Sequence, residues 1–235
     1  MITLNDVLTD LTYGEFQHLK VGNFHPQQHD SEPDPRAYAQ LTRHVNKALT
    51  AIFTRFPLRW QEVDIQLSEE ITDYLLHPDY TTSTGTAPVL YIMDTVMEPF
   101  QDNVAKIEEV YDEEGNLLHM NDIDEPLSVF TPRNNLIQVP WPNDFNMISV
   151  MYRALHPKIE YAYGMDPTTI ELELPEQFME PLLFYVAARY MATLPGQEGP
   201  SFYSKYNAQM EYLNAMGLYP QSEQSNSRFT RRGFV

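Results

Sequence analysis

The chain has 235 residues, 43% of them hydrophobic and 12% aromatic, enough to bury a substantial core without covalent staples. It contains no cysteine, which excludes disulfides, thiolate metal sites and a cysteine nucleophile. A formal charge of −18 argues against a fold that grips nucleic acid, because so acidic a surface repels phosphates.

Taken from the amino end, Met1-Ile2-Thr3-Leu4-Asn5-Asp6 lacks the basic start and apolar run of a signal peptide. The expectation is a non-secreted chain, with absence of cysteine suiting a reducing cytoplasm. Residues 3–13 read as a helix: Thr3 can cap it, Asp6 sits three residues on, and Leu4, Val7, Leu8 and Leu11 form one stripe. Phe16 and Leu19 can extend that face, although Gly14 weakens the helix there. Gly22, Pro26, Ser31 and Pro33 mark a loop. A long helix follows, capped by Asp34 and opened by Pro35, with Tyr38, Leu41, Val45, Ala48, Leu49, Ile52, Phe53 and Phe56 at helical spacing until Pro57 stops it.

The pattern then changes to period two. Val63, Ile65 and Leu67 alternate with polar neighbours. Val89 to Met93 is a short apolar run. Val104 to Tyr111, the loop Asp112-Glu113-Glu114-Gly115-Asn116, and Leu117-Leu118 read as a hairpin. Further strands are expected at Ser128–Thr131, Leu136–Pro140 and Met147–Ala154. Short strands at even spacing suggest a small antiparallel sandwich or barrel.

Helices return over residues 176–194, with Met179, Leu182, Leu183, Val186, Ala187, Tyr190 and Met191 as the apolar face. Pro181 is tolerable near the start but can delay or kink it. After Leu194-Pro195-Gly196, Ser201 is expected to cap a last helix lined by Tyr203, Tyr206, Met210 and Leu213, with Gly217 as its stop. Core packing is the default role of these aromatics, packing between subunits the alternative. No run of about 18 apolar residues exists to span a membrane.

The charge is unevenly placed. Residues 218–235 hold Arg228, Arg231 and Arg232 against Glu223 alone, leaving 12 basic and 32 acidic residues on the rest. With Phe229, Phe234 and Val235, this polar segment buries too little to order itself. It is either a silent end or a docking peptide with three arginine forks and two aromatic anchors. The acidic body reads either as solubility or as a wall past which DNA slides without sticking.

Chemistry-bearing constellations are weak. Asp112-Glu113-Glu114 and Asp122-Ile123-Asp124-Glu125 offer oxygen ligands for a hard cation but lack EF-hand spacing, so solvated loop charge is the default. Among 33 acidic residues some pair always suits glycoside hydrolysis, and none stands out. His25 and His29 lie four apart in a loop, His44 in the long helix, and His77 and His156 each before proline. No H-E-x-x-H, G-x-S-x-G or P-loop motif is present. Catalytic residues, metal sites and cofactors are therefore not expected.

The order helix pair, β insertion, helix pair, tail resembles the head-to-tail adaptor (connector) proteins of tailed bacteriophages. Local stretches are similar too: Ala48-Leu49-Thr50-Ala51-Ile52-Phe53-Thr54-Arg55-Phe56-Pro57-Leu58, Val110-Tyr111-Asp112-Glu113-Glu114-Gly115-Asn116 with Asn121-Asp122 and Ser128-Val129-Phe130-Thr131-Pro132, Tyr152-Arg153-Ala154-Leu155-His156-Pro157, Leu174-Pro175-Glu176 through Ala187-Ala188-Arg189-Tyr190, and Tyr203 to Tyr212. The likeness spans most of residues 1–217. The expected fold is α+β: a bundle of about four helices from residues 1–60 and 158–217, an inserted antiparallel sandwich or barrel-like subdomain at 61–157, and a docking tail at 218–235. The resemblance implies a non-enzymatic virion protein at the neck, assembled in the host cytoplasm. It implies a homo-oligomeric ring, usually of twelve subunits, between the portal protein and a tail tube or nozzle protein. DNA would pass through without specific binding. The portal contact would fall to Arg228, Phe229, Arg231, Arg232, Phe234 and Val235. Another tail-completion or tail-tube protein, or a glycan-binding or hydrolysing module, are the alternatives.

Overall fold

The computed structural model describes residues 2–17, 35–142, 146–162, 165–193 and 199–217. From the amino end, β1 (Ile2–Thr3) leads into α1 (Leu4–Asp10), which widens into a π-helical turn over Leu11–Glu15, and α2 follows (Pro35–Arg55). Seven strands come next: β2 (Trp60–Gln66), β3 (Asp73–Leu75), β4 (Ile92–Met93), β5 (Val104–Tyr111), β6 (Phe130–Arg133), β7 (Leu136–Gln138) and β8 (Met147–Ala154). The remaining elements are β9 (Glu171–Leu172), α3 (Met179–Met191) and α4 (Gly199–Ala215). The protein is thus α+β, with three antiparallel sheets among the described residues, none of them closed. The chain divides into two compact units, Met1–Phe56 with His156–Pro220, and Pro57–Leu155.

In the helical unit the expected cap is formed. Asp6 N–H donates to Thr3 Oγ1 at 3.2 Å, and Thr3 N–H donates to Asp6 Oδ2 at 2.8 Å. Those bonds hold the Asp6 carboxyl below its ordinary pKa. The expected helix over 3–13 does not stay α-helical: it widens where Thr12 Oγ1 donates to Leu8 O at 2.6 Å and Gly14 loosens the turn. Leu4, Val7, Leu8, Leu11 and Phe16 are all buried. Leu19 and the proposed cap Asp34 lie outside the described residues.

Helix α2 opens at Pro35 and buries Leu41, Val45, Ala48, Leu49, Ile52 and Phe53, with Phe56 just beyond it. Tyr38 is only partly buried, against Tyr161. Pro181 takes the third position of α3, where no intrahelical acceptor is needed, and a 3-10 turn over Glu176–Phe178 supplies the delayed start. Two expectations for α4 are corrected. The helix begins at Gly199, so Ser201 lies inside it rather than capping it. Proline at position 200 is tolerated in a first turn. A β-carbon at Gly199 would stand 3.2 Å from both Ala188 O and Ala192 N, so glycine lets the two helices close here. Tyr203 is exposed, while Tyr206, Met210 and Leu213 are buried. The terminal stop is as read: Gly217 has φ +64°.

The β unit is built on a four-stranded sheet of order β4-β2-β8-β5 and a three-stranded sheet of order β3-β7-β6. Val63 pairs with Val150, Ile65 with Ile148 and Gln61 with Tyr152, while β8 alternates inward and outward along its whole length. Inward residues of both sheets, Ile65 and Val150 with Tyr74 and Ile137, join one apolar cluster. Two tyrosines fasten it. Tyr91 Oη accepts from Leu75 N–H at 2.9 Å and donates to Leu75 O at 3.0 Å. Tyr74 Oη does the same for Ser68, at 2.8 and 3.1 Å. Burial pushes the Tyr91 phenol far above its ordinary pKa.

Three strand expectations are corrected. Only Ile92–Met93 of the 89–93 run is a strand, and Val89 and Leu90 are exposed, because Tyr91 turns inward to meet β3. Leu117-Leu118 returns as a single bridge, Tyr111 to Leu117, closed by Leu118 N–H to Val110 O at 2.8 Å. The strand expected at 128–131 is displaced to Phe130–Arg133. It is an edge strand with an irregular register, where Pro132 removes no needed donor.

The packing of Phe56 against Phe178, rings 5.0 Å apart and both inaccessible, fixes the end of α2 on the turn before α3. Phe56→Ala should lower unfolding free energy by about 3–5 kcal/mol, by urea titration followed by circular dichroism.

Candidate functional site

The β unit carries most of its exposed apolar side chains on loops, Met93 of β4 apart, and several of these loops are held by specific polar contacts. After β4 the chain turns at Asp94. Its carboxylate accepts from Ser83 N–H at 2.8 Å, Ser83 Oγ at 2.6 Å, Thr82 Oγ1 at 3.3 Å and Phe100 N–H at 3.0 Å. One side chain therefore ties the 82–83 turn to both ends of the 94–100 loop. Glu98 N–H donates to Thr95 Oγ1 at 3.1 Å, closing a small turn whose outer residues are Val96 and Met97. These two are 78% and 91% exposed. A loop so fastened that leaves two large apolar groups in water is suited to meeting another surface. Gly85 is required beneath it: a β-carbon there would lie 2.3 Å from Thr81 O and 2.6 Å from Asp79 O.

Burial of Asp94 raises its pKa, and the hydrogen bonds from Ser83, Phe100 and Thr82 outweigh that, leaving the carboxyl below its ordinary value. The group is held as an anion.

A second feature of the same unit is a pocket of about 270 Å³ between the 112–114 turn and the segments 126–129 and 139–141. Leu118, Val129, Val139 and Ile148 line it, Leu127 and Trp141 stand at its edge, and Asp112, Glu113 and Glu114 rim it. Trp141 is 77% exposed, and Ile123 on the adjoining loop is 88% exposed. The acidic clusters singled out in the sequence prove to shape these turns. Asp112 accepts from Asn116 N–H at 2.7 Å and from its Nδ2 at 3.0 Å across a turn with Gly115 at φ +80°. Asp122 accepts from Asp124 N–H at 3.0 Å.

The residues picked out for portal docking, Arg228, Phe229, Arg231, Arg232, Phe234 and Val235, lie outside the described residues, as do His25 and His29. His18 also lies outside them, while His77 and His156 have local tasks. His77 Nδ1 accepts from Asp79 N–H at 3.3 Å, capping a 3-10 turn. His156 Nδ1 lies 2.6 Å from Pro157 O, and its Nε2 accepts from Glu173 N–H at 3.1 Å, which requires the Nδ1–H tautomer. Its ring edge packs on Phe53. Burial, reinforced by Lys47 and Arg189, lowers the pKa of His44 from its ordinary value. No cluster of three potential metal ligands occurs among the described residues. Glu62 and Asp64 both hydrogen-bond Ser149 Oγ across the β2–β8 pair, Asp64 at 2.6 Å, so this carboxylate pair is committed to the sheet surface.

Neither apolar loop was singled out in the sequence. For Trp141 a signal existed: it stands between Pro140 and Pro142, which break strand pairing on both sides. For Val96 and Met97 no local signal separates them from core residues.

No protein-family model matches the chain, and no curated protein is detectably similar to it.

Asp94 contributes to stability as a carboxylate with a depressed folded pKa. Its contribution is complete above the unfolded value, about 3.9, and is lost as pH falls through the folded value. Asp94→Asn should cost about 1–2 kcal/mol at pH 7, and the gap to the parent should narrow below pH 4. Urea titrations at both pH values measure this. A gap of equal size at pH 2 would sink the assignment.

Proposed function

We propose that this chain is a non-enzymatic structural protein of a tailed-phage virion: an adaptor that forms a ring, of twelve copies on the resemblance noted above, between the portal and the tail tube or nozzle. The observation that carries the reading is the anchored loop with Val96 and Met97 in solvent, a surface built for contact with protein rather than for turning over a substrate. The element order supports it, with helices flanking a β insertion. In this reading the helical unit is the bundle, and the β insertion acts as a sandwich-like arm that meets a neighbour.

Charge supports the same reading. An acidic ring around a DNA path lowers the chance that phosphates stick during ejection. The carboxyl end has the opposite sign, three arginines against one glutamate over residues 218–235, and there Arg228, Phe229, Arg231, Arg232, Phe234 and Val235 supply the portal contact. One such peptide binds weakly because ordering it costs entropy, and a ring presenting many copies gains by multivalency.

Two outcomes are expected. Deleting residues 220–235 abolishes attachment to portal particles while the chain remains a folded monomer, read by sedimentation with purified portal. Undiminished attachment would remove the tail's role. Val96→Asp combined with Met97→Asp leaves the thermal melt unchanged and prevents incorporation into particles. Electron microscopy that finds the chain away from the portal would instead favour a tail-completion or tail-tube part.

A further inference from the structure

We propose that the acid-rimmed pocket of the β unit is a docking site for this chain's own basic carboxyl-terminal segment, Arg228–Val235. The contact is between parts of this polypeptide, so it stands or falls independently of the adaptor reading.

The pocket is matched to that segment in three respects. Its floor of Leu118, Val129, Val139 and Ile148 encloses about 270 Å³, room for an aromatic ring, and the segment offers Phe229 and Phe234. Its edge holds an exposed indole, Trp141, on whose face a guanidinium stacks favourably. Its rim is acidic at the hairpin turn, where Asp112, Glu113 and Glu114 stand. Arg228, Arg231 and Arg232 carry the complementary charge within five residues of sequence. Asp112 and Glu114 also accept from Asn116 within that turn.

The physics of tethering favours the pairing. A free peptide of this size binds weakly because it must be ordered. A segment on the same chain is present at an effective concentration in the millimolar range. Arg228 to Val235 lie 11 to 18 residues beyond Gly217, a reach of about 36–60 Å when extended, against a radius of gyration of about 13 Å for a folded unit of this size. Docking also covers an apolar surface that otherwise stands in water. Where the adaptor reading holds as well, the β unit keeps the segment occupied until a partner displaces it.

The chain contains no cysteine, which allows a direct test in the full-length protein. Leu127→Cys with Thr230→Cys places one thiol at the pocket edge and one amid the segment. Thr95→Cys with Thr230→Cys is the control, because Thr95 does not line the pocket. Under copper–phenanthroline oxidation the first pair should form a disulfide roughly tenfold faster than the control. Arg228→Glu, Arg231→Glu and Arg232→Glu together should abolish that advantage, and adding Glu113→Arg and Glu114→Arg should restore it. A monomeric product on a non-reducing gel assigns the segment to its own β unit, and a dimeric product assigns it to that of a second copy. Equal rates for the two pairs, or no response to charge reversal, would overturn the proposal, and the pocket would then be open to another protein.

Discussion

The pairing of β2 with β8 brings together stretches of chain more than eighty residues apart, and the β unit depends on its register. Val63 opposite Val150 and Ile65 opposite Ile148 place four branched side chains on the inward face. A slip of β2 by one residue would send Val63 and Ile65 outward and bring Glu62 and Asp64 into the core. Because the inward set is nearly inaccessible, register is strongly specified. Strands β4 and β5 then add at either side, and the loops between strands inherit fixed starting points.

On that frame the loops present apolar groups rather than hide them. Asp94 does so by gathering donors from Thr82, Ser83 and Phe100 at one carboxylate, which holds the turn that bears Val96 and Met97. Asp112 does so at the hairpin whose neighbours shape the pocket beneath Trp141. In both places an acidic residue acts as a turn organiser, and at Asp112 this replaces the solvated loop charge expected from the sequence. The outward apolar residues are thus held in place before any partner arrives, which lowers the ordering cost of binding. The histidines follow the same logic: His77 and His156 spend their ring nitrogens on backbone groups.

Repetition at short range made part of this architecture readable. Helix α2 was legible because apolar residues recur at helical spacing between Pro35 and Pro57, and nearly all of them are buried. Strand β8 was legible because Ile148, Val150, Tyr152 and Ala154 alternate with outward residues. Thr3 with Asp6 spelled out a cap and formed it. What failed to read were places where a distant residue decides. Tyr91 left its expected strand because its hydroxyl reaches the Leu75 backbone, and Ser201 lost its cap because Gly199 lets α4 close on α3 two residues earlier.

By itself, the sequence determined the α+β class, the long helix, the alternating strands, the acidic body and the basic carboxyl end, since periodicity and charge are properties of neighbouring residues. Only the tertiary structure decided which apolar side chains stay wet. Val96, Met97, Ile123 and Trp141 have the same chemistry as core residues, and their exposure follows from hydrogen bonds and strand pairings that close over long stretches of chain. Burial is a relation between residues far apart in sequence, so apart from the prolines on either side of Trp141 no local pattern encodes it.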